Sequence, residues 1–250
     1  LNIPYFVIKK DTTEKEMDSA LEKANCTMAQ KKPFALVVQK GALELCDKAD
    51  YSNDYPLSRE KIVQIIIDGM GESDIVVSTT GKLSRELFEA RESRGECHKR
   101  DFLTVGSMGH SSMIAMGIAM EKPDRRVYCL DGDGASLMHM GSMAVLASQK
   151  SENIIHFVIN NSAHETVGGM PTVSDNIDFQ SLAKSVGYAH SFTATNEVEL
   201  KAVISKLEEI SGPVFVEVKA NLESRSDLGR PTTTPTQNKD DFMSFIKEVF

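Results

Sequence analysis

Two short stretches hold residue types that could do chemistry together: Asp131-Gly132-Asp133-Gly134-Ala135-Ser136 and, about one crossover later, Asn160-Asn161. Gly132 and Gly134 let the backbone turn sharply and come close to a bulky anion. Asp133 offers a hard anionic oxygen and Asn161 a neutral one, a pair suited to Mg²⁺ carrying a ligand's phosphates. A helix expected to begin near Ala135 would point its free N–H groups and positive dipole end at the same place.

Four residues of the type DGDG can equally be an ordinary surface turn. An EF-hand loop counted from Asp131 fails, because its sixth position is Ser136 rather than Gly and its twelfth is Ser142 rather than Glu. The dinucleotide fingerprint fails too, since its third glycine position holds Leu137, and no GKS or GKT phosphate loop is present. What raises the signal is the pairing of GDG with NN across one expected crossover.

The elements that must position these residues can be read from periodicity. Apolar residues 126–130 lead into the acidic turn, a Met/Leu/Ala-rich helical pattern follows, and 154–159 lead into the amide pair. This is a βαβ unit with oxygen ligands at the carboxyl ends of both strands, where open α/β sheets collect their ligands. Upstream, Ser58 is placed to cap a helix over 59–70, and 74–78 reads as a strand. That strand delivers Thr79, Thr80, Gly81 and Lys82 to a loop ahead of a helix over 83–91. Such a loop can hold phosphate, and Thr79 serves equally as a simple cap. A short strand over 101–105 precedes Gly106-Ser107-Met108-Gly109-His110 and an apolar helix to about 120. Residues 162–172, with two glycines and a proline, read as a shaped loop that could roof a site. Helices over 178–186 and 196–210 and strands over 189–192 and 213–218 complete a parallel sheet of about six strands. The expected class is α/β, a three-layer parallel sheet with helices on both faces.

The ends of the chain read differently. Residues 2–8 and 33–39 are strand-like and 15–31 helical. With nothing before it, strand–helix–strand leaves exposed sheet edges, so 1–45 is expected to be the tail of a preceding α/β domain. Polar 46–57 makes a linker, 58–222 the main domain, and 223–250 an extended tail with a terminal helix over 240–250. Phe242, Phe245, Ile246 and Val249 share one face of that helix.

GDG followed by NN resembles the diphosphate-binding motif of the thiamine diphosphate enzymes. Within that superfamily, 78–90 (STTGKLSRELFEA), 105–120 (VGSMGHSSMIAMGIAM) and 160–172 (NNSAHETVGGMPT) are most similar to phosphonopyruvate decarboxylases, and next to sulfopyruvate decarboxylases. The resemblance covers nearly all of 1–222 and implies the thiamine diphosphate-binding fold of the diphosphate domain. It implies that Asp133, the Asn161 side chain and the Ala163 carbonyl bind Mg²⁺, and that Gly132, Gly134, Ala135 and Ser136 meet the diphosphate. Thr80 and Gly81 would lie near the cofactor, and the Gly106 carbonyl would meet its pyrimidine amino group. Met108 would bend the cofactor into its V shape, although one methionine among 12 is by itself more simply core filling. A preceding domain would bind the pyrimidine ring and carry the activating glutamate, which is not in this sequence, so the isolated chain is expected to be inactive. A homo-oligomer is implied, with the cofactor between one subunit's upstream domain and another's Mg²⁺ domain.

His164 is a candidate proton donor or phosphonate contact, since imidazole can do either near neutral pH; a structural hydrogen-bonding role fits it nearly as well. His110 could cap its helix or face the substrate. Lys82 and Arg85 are further cations for a phosphonate, and Glu165 reads as a solvated loop charge. The implied reaction is decarboxylation of the 2-oxo acid phosphonopyruvate to phosphonoacetaldehyde and CO₂ in phosphonate metabolism. Sulfopyruvate is the rival substrate. A reading from another class is a Mg²⁺–diphosphate module without catalysis.

Composition bounds these readings. Lys+Arg 28 against Asp+Glu 36 gives a net charge of −8 with no basic stripe, which argues against nucleic acid. Cys26, Cys46, Cys97 and Cys129 lie far apart, without metal spacing, and read as reduced cytosolic thiols, Cys129 as core. No apolar run reaches membrane-spanning length and no signal peptide is visible, so a cytoplasmic location is expected. Leu1 in place of Met points to sequence upstream.

Overall fold

The structure, a computed structural model, describes residues 2–44 and 51–248. The chain divides into two compact units, Leu1–Lys48 and Ala49–Phe250. The first contains β1 (Tyr5–Ile8), α1 (Glu14–Ala29) and β2 (Ala35–Val38), with the two strands paired in parallel. Thr13 starts α1 through a capping box with Glu16, which satisfies donors at both ends of the first turn. The boundary expected at 45–46, and Cys46 itself, lie outside the described residues.

The second unit runs α2 (Arg59–Asp68), β3 (Ile75–Ser78), α3 (Lys82–Ser93), β4 (Asp101–Leu103), α4 (Ser111–Glu121) and β5 (Val127–Gly132). It continues with α5 (Asp133–Met138), α6 (Gly141–Ser148), β6 (Ile154–Asn160), β7 (Ala163–His164) and β8 (Met170–Pro171). It ends with α7 (Phe179–Val186), β9 (His190–Ala194), α8 (Glu197–Leu207), β10 (Val214–Lys219) and α9 (Pro235–Phe245). Six strands form one parallel sheet in the order β4-β3-β5-β6-β10-β9.

Alternation along the buried strands divides the core into two layers. Val76, Tyr128, Leu130, Phe157 and Val216 face α2, α3 and α8 on one side. Ile75, Val77, Cys129, Val158 and Phe215 face α4, α6, α7 and α9 on the other. Helices therefore cover both faces, and the three-layer α/β class is as expected.

Strand order sets the site. From β3 the chain steps outward to β4, then returns past β3 to β5 and continues to β6. Loops leaving β3 and β5 thus part in opposite directions and open a crevice beyond the strands' carboxyl ends.

Three expectations change in detail. The helix expected near Ala135 starts at Asp133, and its run is two helices broken at His139 and Met140. Gly141, the weakest helix former there, opens the second. The loop over 162–172 is a small hairpin of β7 and β8 around a 3₁₀ turn at Glu165–Val167, reversed through Gly168 and Gly169 at φ +117° and +76°. The terminal helix starts five residues before 240, because Pro235 sits in its first turn and Thr234 forms a capping box with Gln237. The stretch before it is docked: Arg225 pairs with Glu60 and Glu89, and Gly229 N–H donates to Glu89.

A candidate cofactor cavity

Loops from β3, β5 and β6 line a cavity of about 300 Å³. From β3 come Thr79, Thr80 and Gly81. Gly81 takes φ +105° at the N-cap of α3 and offers no capping side chain; the Lys82 N–H donates to Thr166 Oγ1 at 3.4 Å, and the cap itself leaves the next N–H groups of the first turn without a side-chain acceptor. The cap is therefore Gly81 and not Thr79, whose carbonyl instead accepts from Ser84 Oγ at 2.5 Å.

From β5 come Gly132, Asp133, Gly134 and Ala135. Asp133 is 2% exposed and accepts from Thr172 Oγ at 2.5 Å. Burial pushes its carboxyl above the usual range, only partly offset by the Thr172 and Ser174 hydroxyls. It forms no ion pair among the described residues. Gly134 packs under His164: a Cβ added there would lie 2.6 Å from the imidazole Cε1. The Met108 methyl group is 3.5 Å from the same point, so Met108 and His164 both reach the turn.

From β6 the two amides divide their work. Asn160 turns into the protein, donating to Glu217 and accepting from Ser162 and Ser174. Asn161 faces the cavity, its Nδ2 donating to Glu165 at 3.1 Å and its Oδ1 accepting from Ala163 N–H at 3.2 Å. In the hairpin, the carbonyls of Ser162 and His164 accept from Thr172 and Gly169. Alternation turns the Ala163 carbonyl to the other side of its strand.

Glu165 corrects its expectation as a solvated charge. Its side chain is 9% exposed and holds Arg59 at 2.6 Å and Lys82 at 2.8 Å. Burial pushes the carboxyl up, but Arg59 and Lys82 outweigh it and hold the group below the usual glutamate range. Arg59 is also doubly bonded to buried Glu86. Sequence reasoning missed Arg59, Thr172 and this network, because the partners are separated by up to 106 positions.

Not every candidate reaches the cavity. The Ser136 hydroxyl donates to Asp131 at 3.3 Å, behind the turn. The His110 ring packs on His139 at 4.3 Å and its Nδ1 lies 3.1 Å from the Ser107 carbonyl. Gly106, at φ +72°, donates its N–H to Thr80 Oγ at 3.2 Å and stands beside the cavity rather than on its wall. Arg85 is not on the wall either, and Lys82 is there but already paired.

A parallel sheet with a glycine-rich acidic turn and a helix N-terminus at its switch point is the architecture of a domain able to take an anionic ligand there. Residues 79–218 match the family described as the C-terminal TPP-binding domain of thiamine pyrophosphate enzymes, and the chain belongs to that family. It is 33% identical over 171 residues to a phosphonopyruvate decarboxylase of Streptomyces viridochromogenes, covering 68% of this chain and 42% of that one. It is 34% identical over 152 residues to a sulfopyruvate decarboxylase subunit beta of Methanothermobacter thermautotrophicus, covering 61% and 76%. A solved benzoylformate decarboxylase from Polynucleobacter necessarius shares the fold at TM-score 0.58 and 18% identity, over 71% of this chain and 36% of that one. The chain therefore spans about two fifths of the length of the phosphonopyruvate decarboxylases it matches.

The residues present fit thiamine diphosphate with a divalent cation. Both cations on the wall, Arg59 and Lys82, are already engaged by carboxylates. A diphosphate thus needs further positive charge, and the buried Asp133, which has no cation partner among the described residues, together with the Asn161 amide on the same cavity wall is a hard-oxygen set that would hold it. Among the described residues no helix is long and apolar enough to cross a membrane, and Cys26, Cys97 and Cys129 are free.

Proposed function

We propose that this chain supplies the Mg²⁺–diphosphate half of the active site of a thiamine diphosphate-dependent decarboxylase of the phosphonopyruvate or sulfopyruvate kind. Our reading of the substrate is phosphonopyruvate, converted to phosphonoacetaldehyde and CO₂. The observation that carries it is the convergence, in one cavity, of the Thr80–Gly81 loop, the Asp133–Ala135 turn and the Asn161–Ala163 segment.

In this reading Asp133, Asn161 Oδ1 and the Ala163 carbonyl hold Mg²⁺. The N–H groups of the first turn of α3 that follow Lys82, and those of Gly134 and Ala135, meet the diphosphate oxygens. Met108 supports the cofactor's bend, the Gly106 carbonyl holds its pyrimidine, and His164 presents a ring nitrogen that can give or take a proton over the turn. When bound, thiamine diphosphate supplies the electron sink for loss of CO₂ from a 2-oxo acid. A preceding pyrimidine-binding domain, from the same or a neighbouring subunit, would complete the site in a homo-oligomer.

Sulfopyruvate is the second reading, favoured by the 34% identity to a sulfopyruvate decarboxylase subunit that this chain covers over 76% of its length. The test is CO₂ release from phosphonopyruvate, sulfopyruvate and pyruvate by the full-length gene product with thiamine diphosphate and Mg²⁺. Preference for phosphonopyruvate, lost in Asp133→Ala, is the expected result. Preference for sulfopyruvate overturns the substrate, and release from none of the three overturns the decarboxylase reading.

A further inference from the structure

Directly behind the diphosphate turn lies a polar cluster that the site itself does not use. Cys129 and His156 are register partners on β5 and β6, and Asp131 follows Cys129 on the same face. Cys129 is 0% exposed, Asp131 and His156 are each 1% exposed, and the layer around them is largely apolar apart from the buried hydroxyls of Ser111 and Tyr188. Burying such groups is costly unless they are paired.

The pairs run in one line. Asp131 accepts from Gly132 N–H at 3.0 Å with one oxygen and from Ser136 Oγ at 3.3 Å with the other. It thereby ties the first and last residues of the turn. His156 Nε2 has no hydrogen bond and stands 3.6 Å from the same Asp131 oxygen as Ser136. Its Nδ1 is 2.9 Å from the Tyr188 hydroxyl. Burial holds the Tyr188 phenol well above its usual range, so it keeps its proton. A ring protonated at Nδ1 would aim the Nε2 lone pair at a carboxylate. The favoured tautomer therefore carries its proton on Nε2, toward Asp131, and accepts from Tyr188 at Nδ1.

We propose that Tyr188, His156 and Asp131 form a buried positioning relay that sets the Gly132–Ser136 turn for the diphosphate and its cation. This rests on the cofactor reading of that turn. A transition-metal site is the rival, since the Cys129, Asp131 and His156 ligand atoms lie within 4.8 Å of one another. Both Asp131 oxygens are already engaged, however, and burial keeps the Cys129 thiol protonated.

The test is calorimetric titration of thiamine diphosphate, with Mg²⁺ in excess, into the full-length gene product and its His156→Leu, His156→Gln and Tyr188→Phe variants. His156→Leu is expected to weaken binding by about tenfold or more, the range for groups that orient ligating residues. His156→Gln, whose amide N–H can still reach Asp131, is expected to restore most of the affinity, and Tyr188→Phe to weaken it in the same direction. Unchanged affinity in His156→Leu overturns the relay. So does equal weakening in Leu and Gln that follows their loss of melting temperature, which marks a merely structural role. Stoichiometric zinc in the purified protein, lost with His156→Leu, overturns it in favour of a metal site. If His156→Leu does not fold, Tyr188→Phe decides, because it removes only a hydroxyl: native affinity there overturns the relay. Wild-type protein that binds no thiamine diphosphate overturns the cofactor reading and the relay with it.

Discussion

The imidazole of His164 lies on the backbone of Gly134, so closely that a Cβ at Gly134 would be 2.6 Å from its Cε1 and 2.8 Å from its Nδ1. The glycine is required by this approach and not by its backbone angle, since it is not among the positive-φ glycines. Gly134→Ala is expected to push the ring off the turn at a cost of about 1–3 kcal/mol, the usual range for overpacking. Urea denaturation measures the cost, and titration with thiamine diphosphate should show weaker binding. Native affinity and stability together would mean that His164 moves freely and has no fixed place over the turn.

Glu165 joins Arg59, Lys82 and the Asn161 amide in one network. Glu165→Ala should free that amide and lower Mg²⁺ affinity by about 10–100-fold, as loss of an orienting group does at metal sites. Glu165→Gln keeps an acceptor for Asn161 and should fall between Ala and wild type. Direct Mg²⁺ titration in the presence of thiamine diphosphate ranks the three proteins, and a Gln variant no better than Ala speaks against orientation through Asn161.

Asn238 ties α9 to the sheet edge, accepting from Leu103 N–H at 3.1 Å and donating to the Asp101 carbonyl at 2.9 Å. Asn238→Ala leaves two buried backbone groups unpaired, which costs about 1–3 kcal/mol. Equilibrium unfolding should show that loss. A change near zero would mean that the terminal helix contributes little beyond Phe242 and Phe245.

Glu96 receives Arg91 at 2.5 Å and Arg100 at 2.8 Å. Partial burial pushes its carboxyl up, but the two guanidiniums outweigh it and leave the group below the usual glutamate range. A depressed folded-state value contributes stability that is complete above the unfolded value and is lost as pH falls through the folded one. Glu96→Gln should therefore melt below wild type near neutral pH and converge with it in acid. A melting difference that does not change with pH would remove the ion pairs as its cause.

Much of the scaffold was legible. Continuous apolar runs and helical apolar patterns, with a cap at Ser58, located the strands and helices of the sheet. The GDG turn and the amide pair were also visible, because each is a local residue pattern. The break at His139 and Met140, just before Gly141, was not foreseen, and the start of α9 was displaced. There, a single glycine and a Thr234–Gln237 box outweighed the apolar pattern.

What the sequence by itself determined is the class of the domain and the chemistry of its turn: alternating buried strands, glycines beside an acidic oxygen, and an amide at the next strand end. Only the tertiary structure decided which of those groups meet. It turned Asn161 to the cavity and Asn160 to Glu217, sent Ser136 back to Asp131, moved His110 aside, and neutralised Lys82 with a half-buried Glu165. The physical reason is range. Backbone periodicity and turn chemistry act over a few residues, whereas a side chain's partner depends on strand order, which brings together residues as far apart as Arg59 and Glu165.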